Sequence, residues 1–285
     1  MILTVLKAIQ KSTQYLAEKG IESPRANAEI LLADTLHCKR LNLYLMFDRP
    51  MREDEIIKYR ACLKRRAQFE PLQYITGTVE FYGIEFKVNP AVLIPRPETE
   101  LLVEAIINSV NENDRLTILD IGSGSGNISI ALAANLPDAF ITGMDIKDNS
   151  IELALENLSK HPFTNRVHFI KADILNFDFS SSEKFDILVS NPPYVSADEF
   201  GRVQKEIKDF EPKVAVTDFS DGYKFYHAIT ATAFKILKNN GKLFFELGEG
   251  QSAKVKEIMT GNNFSEISII NDYQNIERII CGTKK

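Results

Sequence analysis

Along the first seventy residues apolar side chains recur at helical spacing. Val5, Leu6, Ile9 and Leu16 fall on one face, and Gly20 marks a plausible stop. Ser23 followed by Pro24 reads as an N-cap and first-turn proline that open "PRANAEILLADTL". A third helix fits "REDEIIKYRACLKRRAQFE", with acids in its first turn and bases later, the order that the helix dipole favours. From Pro71 to Ile94 the period shortens. "YITGTVEFYGIEFKV" sets short alternating runs between glycines and predicts a β-hairpin.

From Leu116 the pattern changes again. The runs "LTILDI", "AFITGMDI", "RVHFIKAD", "FDILVS" and "GKLFFEL" read as strands, separated by helical segments such as "SIELALENLSK" and "FYHAITATAFKILK". That alternation predicts an α/β fold, a parallel sheet covered on both faces by helices. The last two runs, "FSEISIIND" and "ERIICGT", lie only a few polar residues apart and predict an antiparallel hairpin at the sheet edge. The organisation expected is a small helical N-terminal domain over residues 1–70, a β-hairpin linker over 71–95 and a larger domain over 96–285.

Composition changes this picture little. A chain of 285 residues, 44% hydrophobic and 26% charged, suits an ordinary globular protein with a sizeable core. No segment approaches the span of a membrane helix and the start lacks a cleavage pattern, so no membrane partner and a cytoplasmic location are expected. Cys38, Cys62 and Cys281 stand far apart without CxxC spacing, and the four histidines are equally scattered; neither a disulfide framework nor a metal site is expected. The net charge of −5 hides an asymmetry. Residues 1–75 hold 13 Lys/Arg against 9 Asp/Glu, so the remainder is strongly acidic. Phosphate neutralisation supplies most of the affinity of nucleic-acid enzymes, so this balance weighs against a stable nucleic-acid partner. The basic "LKRR" stretch (63–66) reads most simply as the solvated face of a helix.

Candidate chemistry begins after the first strand, in "LDIGSGSGNISIALA". Gly122, Gly124 and Gly126, with Ser123 and Ser125 between them, allow a tight turn and close ligand approach, and the following helix offers free N–H groups at its positive end. The dinucleotide pattern GxGxxG would need glycine where Asn127 stands. Asp145, after the second strand, is placed to accept bonds from ribose hydroxyls, and Asp173 ends the third. Tight turns use glycine anyway, but three such features at successive carboxyl ends of strands fit the edge where open α/β sheets bind ligands.

The fourth strand ends in "SNPPYV" (190–195). Two prolines cannot continue a sheet, and the residue before each is pushed to an extended conformation, so Asn191 to Tyr194 form a stiff segment that presents carbonyl acceptors. An amide or exocyclic amino nitrogen is a poor nucleophile because its lone pair is delocalised. On the methyltransferase resemblance that these motifs carry, two acceptors, the Asn191 side-chain oxygen and the Pro192 carbonyl, would hold its two hydrogens and stabilise the charge that develops on methylation. Pro193 belongs to the same candidate substrate-binding segment, and Tyr194 can stack on the planar group. The bland alternative is a strand-terminating Pro-Pro turn.

The strand ending in "LDIGSGSG", the acids after the next two strands and "NPPY" after the fourth resemble the S-adenosylmethionine-dependent methyltransferases. That resemblance implies a Rossmann-like seven-stranded sheet whose last strand is antiparallel. It also implies that residues 122–126 hold the methionine moiety of the cofactor, Asp145 the ribose, and Asp173 with Ile174 the adenine. "PLQYITGTVEFYGIEFKVNPAVLIPRPETELLV" (71–103), "EPKVAVTDFSDGYKFYHAI" and "FFELGEGQ" narrow the resemblance to the PrmC or HemK type of protein-glutamine methyltransferase. This type modifies the glutamine of a Gly-Gly-Gln loop in class 1 peptide chain release factors, which are the partner implied. The competing classes are a DNA or RNA amino-methyltransferase, with a base flipped into the same pocket, and a binding module with a vestigial site. The long stretch 195–220 is expected either to wall the pocket or to form an extra surface helix.

Overall fold

The computed structural model describes residues 3–179 and 184–285. The helices are α1 (Val5–Glu18), α2 (Pro24–Thr35), α3 (Glu53–Arg66), α4 (Leu72–Thr76), α5 (Pro97–Ile107), α6 (Asn127–Asn135), α7 (Asp148–Leu158), α8 (Lys205–Phe210), α9 (Lys213–Val216), α10 (Lys224–Ile236) and α11 (Ser252–Gly261). The strands are β1 (Thr78–Phe81), β2 (Ile84–Lys87), β3 (Thr117–Ile121), β4 (Phe140–Asp145), β5 (Val167–Lys171), β6 (Phe185–Ser190), β7 (Leu237–Glu246), β8 (Phe264–Asn271) and β9 (Glu277–Lys284). They form two compact units, one of residues 1–78 with 204–210, the other of 79–203 with 211–285.

The helical unit has its own core, in which Val5, Leu16, Leu31, Leu32 and Leu43 are fully buried. Thr4 caps α1 by accepting from the Lys7 amide at 3.4 Å. At α2 the expected Ser23 cap is absent. Ser23 sits in the left-handed region at φ 46° and its side chain makes no capping bond. Asn27 braces this turn, donating through Nδ2 to the carbonyls of Glu22 and Ser23. The third helix is shorter than its sequence suggests and ends at Arg66, with Phe69 at φ 69° in the turn that follows. Arg66 is 4% exposed; its guanidinium donates to Asn27 Oδ1 at 2.7 Å and the Glu70 carbonyl at 2.9 Å, and pairs with Glu206 of α8 at 2.5 Å. Leu72–Thr76, read from sequence as part of the hairpin, is the one-turn helix α4, closed by Gly77 at φ 80°.

In the second unit seven strands form one sheet in the order β5-β4-β3-β6-β7-β9-β8, beside a separate two-stranded β1-β2 hairpin. β3 pairs in parallel with both β4 and β6, and β6 with β7. β9 runs antiparallel to β7 and to the edge strand β8, as the hairpin pattern predicts. Successive strand residues feed opposite faces. Ile118, Ile187, Val189 and Phe244 pack into one core, with the side chains of α5 and α6. Leu119, Leu188, Leu243 and Phe245 pack into the other, with those of α10 and α11. The chain moves outward from β3 through β4 to β5, then returns to β6 on the other flank of β3. The strand order therefore reverses between β3 and β6, and the crevice at their carboxyl ends is where such sheets take ligands.

One buried charge in this framework gives a test. Asp120 of β3 is fully buried; its Oδ2 accepts from the Ser129 hydroxyl at 2.6 Å, while Oδ1 has no partner among the described residues. Burial pushes its carboxyl up to about 7. The raised group binds its proton more tightly when folded, so its contribution is complete below the unfolded value of about 3.9 and is lost as pH rises to about 7. Relative to Asp120→Asn, the wild type should therefore lose stability between pH 5 and 8, by at most about 1.4 kcal/mol per pH unit within the window. Denaturant titrations of both proteins at the two pH values measure this, and a pH-independent gap would contradict it.

Candidate functional site

The glycine loop leaves β3 at Ile121. The amides of Gly122 and Ser123 both donate to the Met144 carbonyl, at 2.8 and 2.9 Å, which ties the loop to the end of β4. Gly122, Gly124 and Gly126 take φ values of 80°, 52° and 80°, a region closed to most side chains. The three serve differently. A Cβ on Gly122 or Gly124 would meet nothing nearer than 4.0 Å, so the backbone there borders open space. A Cβ on Gly126 would sit 2.8 Å from the Phe169 ring and 3.2 Å from Ala154. Gly126 thus lets α6 start against its neighbours and does not itself line the cavity described next.

At the crevice between β3 and β6 lies a cavity of about 330 Å3. It is lined by Gly122, Ser123, Gly124, Ser125, Asp145, Asp173, Ile174, Asn191, Pro192 and Pro193, bringing together most of the residues singled out from sequence. Asp145 anchors it from β4: Oδ2 accepts from the Gly124 amide at 2.9 Å and Oδ1 from the Lys147 amide at 3.0 Å. A carboxylate offers about four lone-pair sites, so acceptor capacity remains for a ligand. Asp173 turns its carboxylate to its own loop, accepting from the Leu175 amide at 3.0 Å and Asn176 Nδ2 at 2.7 Å, and Ile174 beside it is 9% exposed. Ser123 is 2% exposed and its Oγ finds no partner among the described residues. A mostly apolar pocket, an open glycine backbone, an orphaned hydroxyl and a carboxylate on the rim suit a nucleoside that carries a polar tail.

Tyr194 does not line the cavity. Its ring packs with the core between β7 and α10, and a Cβ on Gly248 would sit 2.9 Å from it. Burial pushes its hydroxyl well above the usual tyrosine range. Its carbonyl accepts from Gln251 Nε2 at 3.0 Å, and Gln251 Oε1 in turn accepts from the Gly248 amide and the Tyr226 hydroxyl. The "GEGQ" turn after β7 therefore clamps the chain leaving Pro193.

Several lining residues were not among the site residues singled out from sequence. Arg96 and Thr99 border the cavity at the start of α5, a helix that the strand and helix patterns passed over although Pro97 at its first turn and the acids Glu98 and Glu100 mark its start. Arg96 pairs with Glu211, whose other oxygen accepts from the Ile94 amide at 3.1 Å. Within 195–220 both expectations hold. The stretch carries α8 and α9, and Pro212, Val214, Thr217, Asp218 and Phe219 line the cavity. Phe219 stands at φ 56°, uncommon for a bulky residue, and is 61% exposed at the rim. Among the described residues no group of three His, Cys, Asp or Glu is arranged to hold a metal, and no helix is long and apolar enough to cross a membrane.

Comparisons with known proteins agree with this geometry. Residues 7–77 match the family model described as the PrmC N-terminal domain, and residues 112–279 match a methyltransferase domain. The chain is 41% identical to a release factor glutamine methyltransferase of Fusobacterium nucleatum subsp. nucleatum, with 98% of this chain and 78% of the relative covered. It is 38% identical to the protein of that name from Geobacter sulfurreducens, covering 99% and 97%, and 36% identical to that of Chlorobaculum tepidum, covering 97% and 96%. Among solved structures, a methyltransferase from Pyrococcus furiosus aligns with a TM-score of 0.52 at 17% identity over 72% of this chain and 90% of its own, a likeness of fold.

Proposed function

The chain belongs to the release factor glutamine methyltransferase family, and from that premise we propose that it transfers a methyl group from S-adenosylmethionine to the side-chain amide nitrogen of the glutamine in the Gly-Gly-Gln loop of class 1 peptide chain release factors. The observation that supports this reading most directly is that the glycine loop after β3 and Asn191-Pro192-Pro193 after β6 border one cavity at the point where strand order reverses.

When bound, S-adenosylmethionine supplies a sulfonium methyl electrophilic enough for a weak nitrogen nucleophile. The residues of this chain do the rest by position. Gly122 to Ser125 and Asp145 hold the cofactor's tail and ribose, and Ile174 offers an apolar face for its base. Asn191 Oδ1 and the Pro192 carbonyl accept the two hydrogens of the glutamine NH2, which holds the nitrogen in place and offsets its developing positive charge. No side chain need act as a base, because an N-alkylated amide cation loses its proton to water. The helical unit serves partner binding. In support of that role, the 3-10 helix Arg40–Leu45 presents Leu41 and Leu45 at 77% and 88% exposure, in a unit that contains the basic excess of the chain. A cytoplasmic location goes with that substrate.

Two acceptors fit any planar NH2 group, so the pocket alone does not choose an amide over a base. Selection falls to what surrounds the pocket, and the acidic balance of the chain beyond residue 75 disfavours phosphate backbones. The discriminating assay offers methyl-labelled S-adenosylmethionine with, in turn, release factor, the factor with its loop glutamine replaced by alanine, total RNA and duplex DNA. Label should enter the unmutated factor alone. Labelling of RNA or DNA and not of the factor would overturn the substrate while leaving methyl transfer standing.

A further inference from the structure

Three sequence stretches far apart in the chain meet in one run of hydrogen bonds. Asn191 Nδ2 of "NPPY" donates to Thr99 Oγ1 of "RPETE" at 3.2 Å, and the Thr99 hydroxyl donates to Glu246 Oε2 of "FFELGEGQ" at 2.6 Å. Thr99 and Glu246 are each 2% exposed. We propose that Thr99 and Glu246 are positioning residues that lock the Asn191 side-chain amide in the one orientation that leaves its Oδ1 to accept from the transferring nitrogen. The inference rests on the reading of Asn191 above and adds what fixes its direction.

An ionised carboxylate only accepts hydrogen bonds. The Thr99 proton must therefore go to Glu246, which leaves the Thr99 oxygen as an acceptor, and its partner on Asn191 must be the NH2 end. With that end engaged, the amide's oxygen is the atom left for substrate. A flipped amide would set a donor against the donor hydrogens of the substrate, losing a bond and adding a repulsion in a buried site. A protonated Glu246 removes the constraint. Its O–H can donate to Thr99, whose own proton can then turn to Asn191 Oδ1, so both orientations become available.

Burial pushes Glu246 up to about 7, with Glu98 of α5 adding to the rise; the Thr99 hydroxyl, the Arg278 charge from β9 and the Asn191 amide oppose it. The hydroxyls of Tyr194 and Tyr226 also face it and feel its charge. The constraint is thus in force above that pH and relaxes below it, so kcat/KM, which reports the free enzyme, should fall on the acid side of about 7.

The test measures kcat at saturating release factor and the pH profile of kcat/KM for wild type, T99V, T99S and N191A. Valine keeps the shape of threonine and removes the hydroxyl. T99V should lower kcat about tenfold, the effect of losing roughly one hydrogen bond's worth of orientation, with the dissociation constant for S-adenosylmethionine held within about twofold, and its acid limb should flatten. T99S, which restores the hydroxyl, should recover most of the turnover and the limb. Wild-type kcat and pH profile in T99V would overturn the proposal, as would a loss that T99S fails to rescue or an equal loss of cofactor affinity. If N191A is slow while T99V is normal, the failure belongs to Thr99 and Glu246 alone; if N191A is also normal, the reading of Asn191 itself fails.

Discussion

Asn191→Ala should cut methyl transfer to the release factor by about 10² to 10³, the range for deleting a hydrogen-bond partner of the transition state. Alanine cannot accept from the glutamine NH2, and it also strands Thr99, whose oxygen then lacks the donor it now has at 3.2 Å. The cofactor constant should move far less, because the glycine loop is held by backbone bonds to Met144 and by Asp145, neither of which involves the Asn191 side chain. Single-turnover rates at saturating cofactor, paired with calorimetric binding, separate the two quantities. Parallel losses in both would assign Asn191 to the cofactor and not to the amide.

Asp145→Ala should have the opposite signature. Hydrogen bonds to a charged group contribute roughly 1.5 to 3 kcal/mol, so cofactor affinity should weaken about tenfold to a hundredfold or more. The carboxylate does double service, since its removal also frees the Gly124 and Lys147 amides that it now engages. The loss should therefore sit at the upper end of that range, while turnover at saturating cofactor falls less. Calorimetry that finds unchanged affinity would remove Asp145 from the site.

The inner strands β3 and β6 were legible in the sequence because they are largely buried on both faces and read as dense apolar runs flanked by glycine, proline and acids. β6 is the clearest case: "FDILVS" ends where two prolines forbid another ladder bond. Short or unpatterned helices were not legible. α4 has five residues, too few to show a period, and in α5 apolar residues crowd "ELLVEAII" so densely that the helical period is weak. At the site, glycine and proline announced themselves because each restricts the backbone locally. Thr99, Glu246 and Gln251 sat in stretches that carry the resemblance, but their individual roles were not readable. Their roles depend on partners that only the fold supplies: Thr99 lies 92 residues from Asn191 and 147 from Glu246. Ser23 fails as a cap because its backbone lies in the left-handed region at φ 46° and not in the extended conformation from which a capping oxygen reaches the first-turn amides.

The helical unit is not a cassette that gene fusion could add or exchange whole at the front of the chain. Its last helix, α8, is encoded more than a hundred codons downstream of the other four and supplies the carboxylate opposite Arg66. A chimera that takes only residues 1–78 from a relative places that buried arginine against whatever the recipient carries at position 206. Where that residue is not acidic, the buried guanidinium keeps Asn27 Oδ1 and the Glu70 carbonyl but loses its charge partner, which destabilises the unit. Recombination between such proteins should therefore succeed when both segments travel together, and Glu206 and Arg66 should be inherited, or lost, as a pair.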